Sequence, residues 1–252
     1  MRNGPLSGRR RFAAGTIGLL IVSLPLTAPG CKRLPNIVSK SDEIKMGQQL
    51  AAQTEREYRV VETGPEADRL RRVAARLVPI ARRDYDVPFS VQLLDSKEVN
   101  AFAAPGGPVY FFRGLVDLTT SDDELASVVG HELAHITKRH SARQLSDAYL
   151  KQAGATIFLG ATRAGQGAAT AAGIALNLQQ LNYSRTDEDQ SDEVGMKYMV
   201  EAGYNPFAMA DMFRKLEKAG GGGGPEFLRS HPLTAKRITK AEERARQYRP
   251  AP

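Results

Sequence analysis

The sequence is poor in several features that mark whole classes of protein. It holds a single cysteine, Cys31, among 252 residues, so no disulfide can close within the chain. It has no internal repeat, which removes solenoids and propellers from consideration. Its one long apolar run, Phe12 to Leu26, is short for a membrane helix, and Pro25 and Pro29 stand where a span would have to continue. It also lacks a real excess of charge. The formal balance of 35 basic against 28 acidic residues is +7, but Arg2, Arg9, Arg10 and Arg11 all precede residue 31 with no acid among them. Without these four the chain has 31 basic and 28 acidic residues, near +3, too mild to argue for nucleic acid as a partner. What remains is ordinary: 42% hydrophobic and 25% charged, the composition of a soluble enzyme and of neither a disordered nor a fibrous chain. The length leaves room for a leader and one globular domain of roughly 200 residues.

Residues 1–30 read as a signal peptide. Arg9, Arg10 and Arg11 form a positive start, Phe12 to Leu26 an apolar centre, and Thr27-Ala28-Pro29-Gly30 a small-residue exit. A retained membrane anchor is the competing reading. The Arg-Arg-Arg-Phe run also resembles a twin-arginine export signal, without the Ser or Thr that usually precedes the pair. Cys31, directly after the exit, is placed as in a bacterial lipoprotein, where the thiol is acylated; Ala28 stands where such signals usually carry Leu, and a free thiol is the plain alternative. Several acyl chains would tether the domain firmly, and Lys32 after the cysteine favours the outer membrane. The expected organisation is signal peptide 1–30, tether 31–42 and one globular domain over 43–250, in the bacterial envelope at the outer membrane facing the periplasm.

Hydrophobic spacing predicts helices over 43–60 and 66–83, the second from Leu70, Val73, Ala74, Leu77 and Ile80. Val87 to Leu94 alternates and predicts a strand, and Asn100 to Phe112 two short extended segments around Pro105-Gly106-Gly107-Pro108. Ser121-x-x-Glu124 predicts a capping box opening the next helix. Further helices are expected over 145–160, 168–181, 187–202, 206–218 and 234–247, with a Gly/Ala-rich turn near 160–168 and a flexible loop at Gly220 to Gly224. The fold class is α+β: a mostly helical domain with a small β-sheet beside the helix that follows Ser121.

That helix carries His131-Glu132-Leu133-Ala134-His135. Residues four apart differ by about 40° around a helix, so both imidazoles face one side and can share a cation. Glu132, offset by about 100°, sits beside such a cation, free to hold the attacking water without ligating. Leu125, Val128, Val129, Leu133 and Ile136 place the motif on a buried amphipathic helix. Catalytic zinc takes three protein ligands and an open position. His140 lies nine residues from His131, about 180° around the same helix, and misses the metzincin spacing, where Ser141 and Lys138 stand in place of histidine and glycine; it reads as a surface histidine or one behind the ligands. Glu188 and Asp192 share one face of a later helix, so one could ligate while the other orients a ligand histidine. By spacing alone they read more readily as a solvated helix start than as ligands.

HExxH, then Glu-x-x-x-Asp about fifty residues on, then Ser230-His231-Pro232 resembles the gluzincin family of CAAX prenyl proteases and HtpX-type heat-shock proteases, in its secreted bacterial LoiP/BepA-like branch. Asn100-Ala-Phe-Ala-Ala-Pro-Gly-Gly followed by Val109-Tyr-Phe-Phe-Arg-Gly114-Leu matches that family's segment upstream of the metal helix, and the likeness spans about residues 42–240. The middle of the Glu-x-x-x-Asp segment, Asp189-Gln190-Ser191, departs from the family pattern; the two outer positions keep it. The resemblance implies a zincin-like metallopeptidase fold and one Zn2+. It implies ligands His131, His135 and Glu188, Asp192 as the carboxylate behind them, and Glu132 as the catalytic base. It also implies that His231 can approach the metal as an inhibitory fourth ligand or a transition-state donor. Phe102, Ala103, Ala104, Pro105 and Gly106, with the strand at 108–112, are expected to form an exposed sheet edge where an extended substrate adds as a strand; the plain alternative is that they only close the sheet. The expected activity is a zinc metalloendopeptidase acting on unfolded or misassembled envelope proteins, with the outer-membrane assembly machinery as a further partner. A chaperone or assembly factor using the same groove, and a structural zinc domain, are the other classes; the glutamate between the two histidines argues against the last.

Overall fold

A computed structural model of the chain describes residues 36–158, 182–219 and 225–248. The signal peptide, Cys31, the helix expected over 168–181 and the loop at Gly220 to Gly224 lie outside them. The order is α1 (Lys40–Glu57), α2 (Pro65–Asp84), β1 (Ser90–Leu94), β2 (Ala101–Ala103), β3 (Pro108–Phe112), α3 (Arg113–Leu118), α4 (Asp122–Thr137), α5 (His140–Phe158), α6 (Arg185–Glu201), α7 (Ala208–Ala219), α8 (Glu226–Ser230) and α9 (Ala235–Gln247). This is the mostly helical α+β domain expected. No helix among the described residues is long and apolar enough to cross a membrane.

The sheet has the order β1-β3-β2, β1 parallel to β3 and β2 antiparallel to it. The central strand β3 is buried along its whole length, as a strand paired on both sides and covered on both faces must be. The expectation that 108–112 lies at an edge is therefore corrected: β2 alone is the edge on that side. Between them, Gly106 (φ 73°) and Gly107 (φ 135°) turn the chain back in backbone conformations that L side chains rarely adopt. A side chain at Gly106 would run into the backbone of Ile44, and one at Gly107 into Pro88.

One core joins α2, the sheet, α4, α6 and α7; Leu70, Val73, Leu77, Phe111, Leu125, Val129, Leu133 and Met196 are all buried in it. The helix α4 is sunk at its centre, with every residue from Glu124 to Ile136 buried. It crosses α6 at two glycines: a Cβ at Gly130 would come within 2.8 Å of the Gly195 carbonyl oxygen, and a Cβ at Gly195 within 2.8 Å of Gly130 C. Only hydrogen at both positions allows so close an approach.

Helix ends differ in detail from the sequence reading. Ser121 does cap α4, its hydroxyl accepting from Glu124 N at 3.2 Å. The return half of the box is missing, because the Glu124 carboxylate accepts instead from Thr120 N at 2.7 Å and from Lys215 Nζ at 2.7 Å. A full capping box opens α6, between Ser184 and Asp187, so that helix starts at Arg185. At its other end α4 stops at Thr137, and Arg139 takes a left-handed φ of 56°, uncommon for a residue with a side chain. Two bonds hold Arg139 there: Nε donates to buried Glu43 Oε1 at 2.6 Å and a terminal nitrogen donates to the Val38 carbonyl at 2.6 Å.

Candidate active site

The crossing of α4 and α6 at the two glycines brings His131 and His135 of one helix opposite the earlier turns of the other. His131 and His135 project from α4, Glu188 from the first turn of α6, and His231 from the end of α8; all four are buried, and they form the group among the described residues able to hold one ion. The Nε2 atoms of His131 and His135 are 3.0 Å apart. Glu188 Oε2 is 3.5 Å from His131 Nε2, and its Oε1 is 3.3 Å from His135 Nε2. His231 Nδ1 lies 3.2 Å from His131 Nε2 and 3.0 Å from Glu188 Oε1. Ligand atoms at the corners of a tetrahedron about zinc, at bond lengths near 2.1 Å, would be about 3.4 Å from one another. The donor set, two or three imidazoles and a carboxylate, and its spacing both fit a zinc-sized ion.

Asp192, one turn after Glu188, places Oδ1 3.0 Å from His131 Nδ1, the nitrogen facing away from the cluster. The contact is a close approach without good hydrogen-bond geometry, and a carboxylate at that distance favours the tautomer with its bare Nε2 turned inward. Burial opposes ionisation of both acids, yet each stays below the usual carboxylate range: Asp192 through Arg237 and His131, Glu188 through His231 and His131. Burial pushes the His135 imidazole well down, which keeps it neutral.

Glu132 is wholly buried, and neither carboxylate oxygen has a hydrogen bond of good geometry among the described residues. Burial raises its pKa, against the pull of His231 and His131 and of the Ala103 amide. A buried carboxylate without firm partners is rare and calls for an explanation in function. His231 Nε2 stands 3.5 Å from Glu132 Oε1, so this histidine fills the space beside both the carboxylate and the cluster. Its ring stacks on Phe227, with centroids 4.5 Å apart.

A cavity of about 440 Å³ opens against His231 and Tyr183, walled by Tyr58, Phe102, Ala103 and Phe112. Phe102 and Ala103 of the edge strand thus face the cavity. Ala104, Pro105 and Gly106 do not line it; they are buried, Pro105 and Gly106 packing against α1 at Gly47 and Ile44. Their expected place on an exposed edge is corrected: α1 covers that stretch.

Two residues of the site escaped the sequence reading, and a third, His140, takes the second of the two places expected for it. Arg237, buried in α9, grips Asp192 with two bonds of 2.8 and 2.7 Å and reaches Glu188 Oε2 at 2.6 Å. Tyr183 lies against His135, ring centroids 3.9 Å apart, its hydroxyl 2.9 Å from Ser141 Oγ. His140, read as a surface histidine or one behind the ligands, is fully buried with Nδ1 2.9 Å from His135 Nδ1, and burial pushes its pKa down to about 4. The surface alternative and the half-turn argument fail for one reason: Arg139 breaks the helix, so His131 and His140 do not share an axis. Arg139 has no residue-type signal of a break, whereas the acidic pair four apart was a usable hint that α6 needed a buried cation such as Arg237.

Comparison with known proteins adds to this geometry. The model of Peptidase family M48 matches residues 65–245. The chain is 29% identical over 256 residues to the beta-barrel assembly-enhancing protease of Escherichia coli, covering 95% of this chain and 52% of that protein. It is 30% identical over 177 residues to the mitochondrial metalloendopeptidase OMA1 of Schizosaccharomyces pombe, covering 68% of this chain and 51% of the relative. It is 27% identical over 169 residues to the metalloprotease LoiP of Escherichia coli, covering 62% of this chain and 63% of that one. The chain spans about half the length of the first two.

Proposed function

The chain belongs to Peptidase family M48, and from that membership we propose that it is a zinc-dependent metalloendopeptidase hydrolysing peptide bonds of unfolded or misassembled proteins of the bacterial envelope. The observation that carries this reading is the meeting of His131, His135 and Glu188 from two helices beside a buried Glu132 that lacks firm partners. His131 and His135 would hold zinc through Nε2 and Glu188 through its carboxylate, with Asp192 orienting His131. When bound, the ion supplies Lewis acidity at the scissile carbonyl and lowers the pKa of the attacking water. Glu132 takes a proton from that water and returns it to the leaving amine. Its raised pKa suits both halves of the exchange. Beside the cavity the edge strand β2 presents Phe102 and Ala103, and an extended polypeptide would add there as a strand, with Phe102 as a wall. Recognition through backbone predicts loose sequence preference and unfolded clients.

His231 acts as a gate in this reading. Its Nδ1 lies 3.2 Å from His131 Nε2 and 3.0 Å from Glu188 Oε1, which supports a closed resting form with this nitrogen in place of the zinc-bound water; productive binding would then require the segment at Ser230-His231-Pro232 to move. His231→Ala should raise casein turnover several-fold with zinc retained. Unchanged turnover together with unchanged coordination would remove the gate, and a fall in turnover would favour the transition-state donor role instead.

The envelope location, the lipid anchor at Cys31, the signal and tether boundaries and a link to outer-membrane assembly belong to the same proposal; the residues up to 35 lie outside the described ones. A closed resting form at His231 would favour one second reading, a chaperone or assembly factor that holds clients in the groove and seldom cuts. One variant separates the two. Glu132→Gln should keep about one zinc per chain and lose casein cleavage by roughly 10²-fold or more. Retained turnover would sink the base assignment, whereas full complementation of a deletion strain by Glu132→Gln would favour the holding role.

A further inference from the structure

The two ligand histidines of the proposed zinc site are oriented by different chemistry. His131 Nδ1 faces a carboxylate, Asp192, at 3.0 Å. His135 Nδ1 faces another imidazole, His140 Nδ1, at 2.9 Å, with the rings nearly perpendicular at 73°. If the lone pair of His135 Nε2 points into the cluster, its proton must sit on Nδ1, and a buried N–H requires an acceptor. Two neutral imidazoles meeting nitrogen to nitrogen can share one proton, so His140 Nδ1 must be the bare nitrogen. The proton of His140 is then on Nε2. There the structure provides acceptors: Gln190 Oε1 at 3.2 Å and, farther, Asp187 Oδ1 at 3.7 Å. Ser191 Oγ also comes within 3.2 Å of His140 Nδ1, but the nitrogen has one lone pair in the ring plane, and the shorter contact to His135 takes it.

We propose that His140 is the positioning residue for His135: it accepts the Nδ1–H bond, fixing the tautomer and ring plane that turn Nε2 to the metal. The inference rests on the metal-site reading above and adds a role to a residue outside the ligand set. Its anchor is α6, the same helix that supplies Glu188, since Gln190 and the more distant Asp187 that face its Nε2 both lie on it. The left-handed Arg139 is what delivers it: without that break His140 would continue around α4 and face away from His135. The chain thereby ties one ligand's orientation to the helix carrying another ligand.

The test compares two substitutions in the full chain. Leu at 140 keeps the volume and removes the acceptor; Asn keeps an acceptor, Oδ1, close to where His Nδ1 stood. Zinc affinity is measured by competition with a chromophoric chelator, with folding followed by circular dichroism. His140→Leu should bind zinc about 10–100-fold more weakly, and His140→Asn should recover most of that loss. A folded His140→Leu with wild-type affinity would overturn the proposal, as would equal losses in both variants, which would make His140 a packing residue only. Should the Leu variant not fold, nitrogen-15 spectra of zinc-loaded wild-type protein decide: His140 protonated on Nε2 and His135 on Nδ1 supports the role, and the reverse tautomer at His140 sinks it. A wild-type chain that binds no zinc at all would instead defeat the metal-site reading, and the affinity of the unaltered protein distinguishes that outcome from the others.

Discussion

At the scale of single residues, the site is a balance of buried charge. Glu132, Glu188 and Asp192 are each at most 1% exposed, and Arg237 is 7% exposed, in surroundings where an unpaired ion costs several kcal/mol. Arg237 is the fixed cation against this charge. It holds Asp192 through two parallel bonds, reaches Glu188 and the Pro232 carbonyl, and stacks its guanidinium over Phe213 at 4.7 Å. Arg237→Met keeps most of the volume and strands both carboxylates, so it should cost about 3–5 kcal/mol in urea unfolding, and Arg237→Met/Asp192→Asn should recover part of that by removing one stranded charge. A loss under about 1 kcal/mol would mean that solvent reaches these acids and that the cluster is not sealed as the structure has it. His131, Glu132 and His135 were legible because one short spacing encodes a shared helix face. Arg237 was not. It stands among Lys236, Lys240, Arg244 and Arg246, and a basic helix reads as a solvated face until its partner acids are known to be buried. Of the segment 102–106, the sequence located a strand and a turn, but burial under α1 depends on a helix sixty residues away in sequence and leaves no local mark.

At the scale of elements, the site exists because α4 and α6 approach backbone to backbone. Gly130 precedes His131 by one residue, and Gly195 follows Asp192 by three, so the close contact and the ligand set are one feature of the helix pair. A methyl group at either glycine meets backbone, which cannot rotate away. Gly195→Ala should therefore destabilise by about 1–3 kcal/mol despite the better helix propensity of alanine. Because the displacement acts on the line joining His131 to Glu188, zinc affinity should fall with it. Thermal unfolding and chelator competition on the same sample check both, and a stabilised Gly195→Ala with unchanged affinity would show that the crossing has slack. An isolated glycine inside a helical pattern is a visible hint of close approach; both glycines carried it, but neither named its partner. Helix periods were legible for the same reason that α2 is: Leu70, Val73, Ala74 and Leu77 do face the core. Helix ends were less so, since the half box at Ser121 and the full box at Ser184 differ only in where Glu124 and Asp187 send their carboxylates, a matter settled by Lys215 arriving from α7.

At the scale of the whole molecule, the proposed metal position joins parts of the chain that have little else in common. His131 and His135 come from the centre of the sequence, Glu188 from beyond the undescribed residues that follow α5, and His231 from the C-terminal quarter. Around that position the chain has gathered three carboxylates and three imidazoles with one arginine to offset them, an arrangement that burial disfavours without a cation. An ion bound to the folded state and not to the unfolded chain stabilises by mass action, about 2.7 kcal/mol at a free concentration one hundred times its dissociation constant. For a domain of roughly 200 residues each kcal/mol moves the melting temperature by about 2–4 °C. Chelation should therefore lower Tm by roughly 5–11 °C, reversed by added zinc and absent in a variant lacking His135. The shift should survive in Glu132→Gln, where activity does not, because that carboxylate contributes to the reaction and not to holding the ion. If chelation leaves Tm unchanged while zinc is demonstrably removed, the cluster balances its own charge, and the cation at the centre of the proposed reaction has no bearing on the fold.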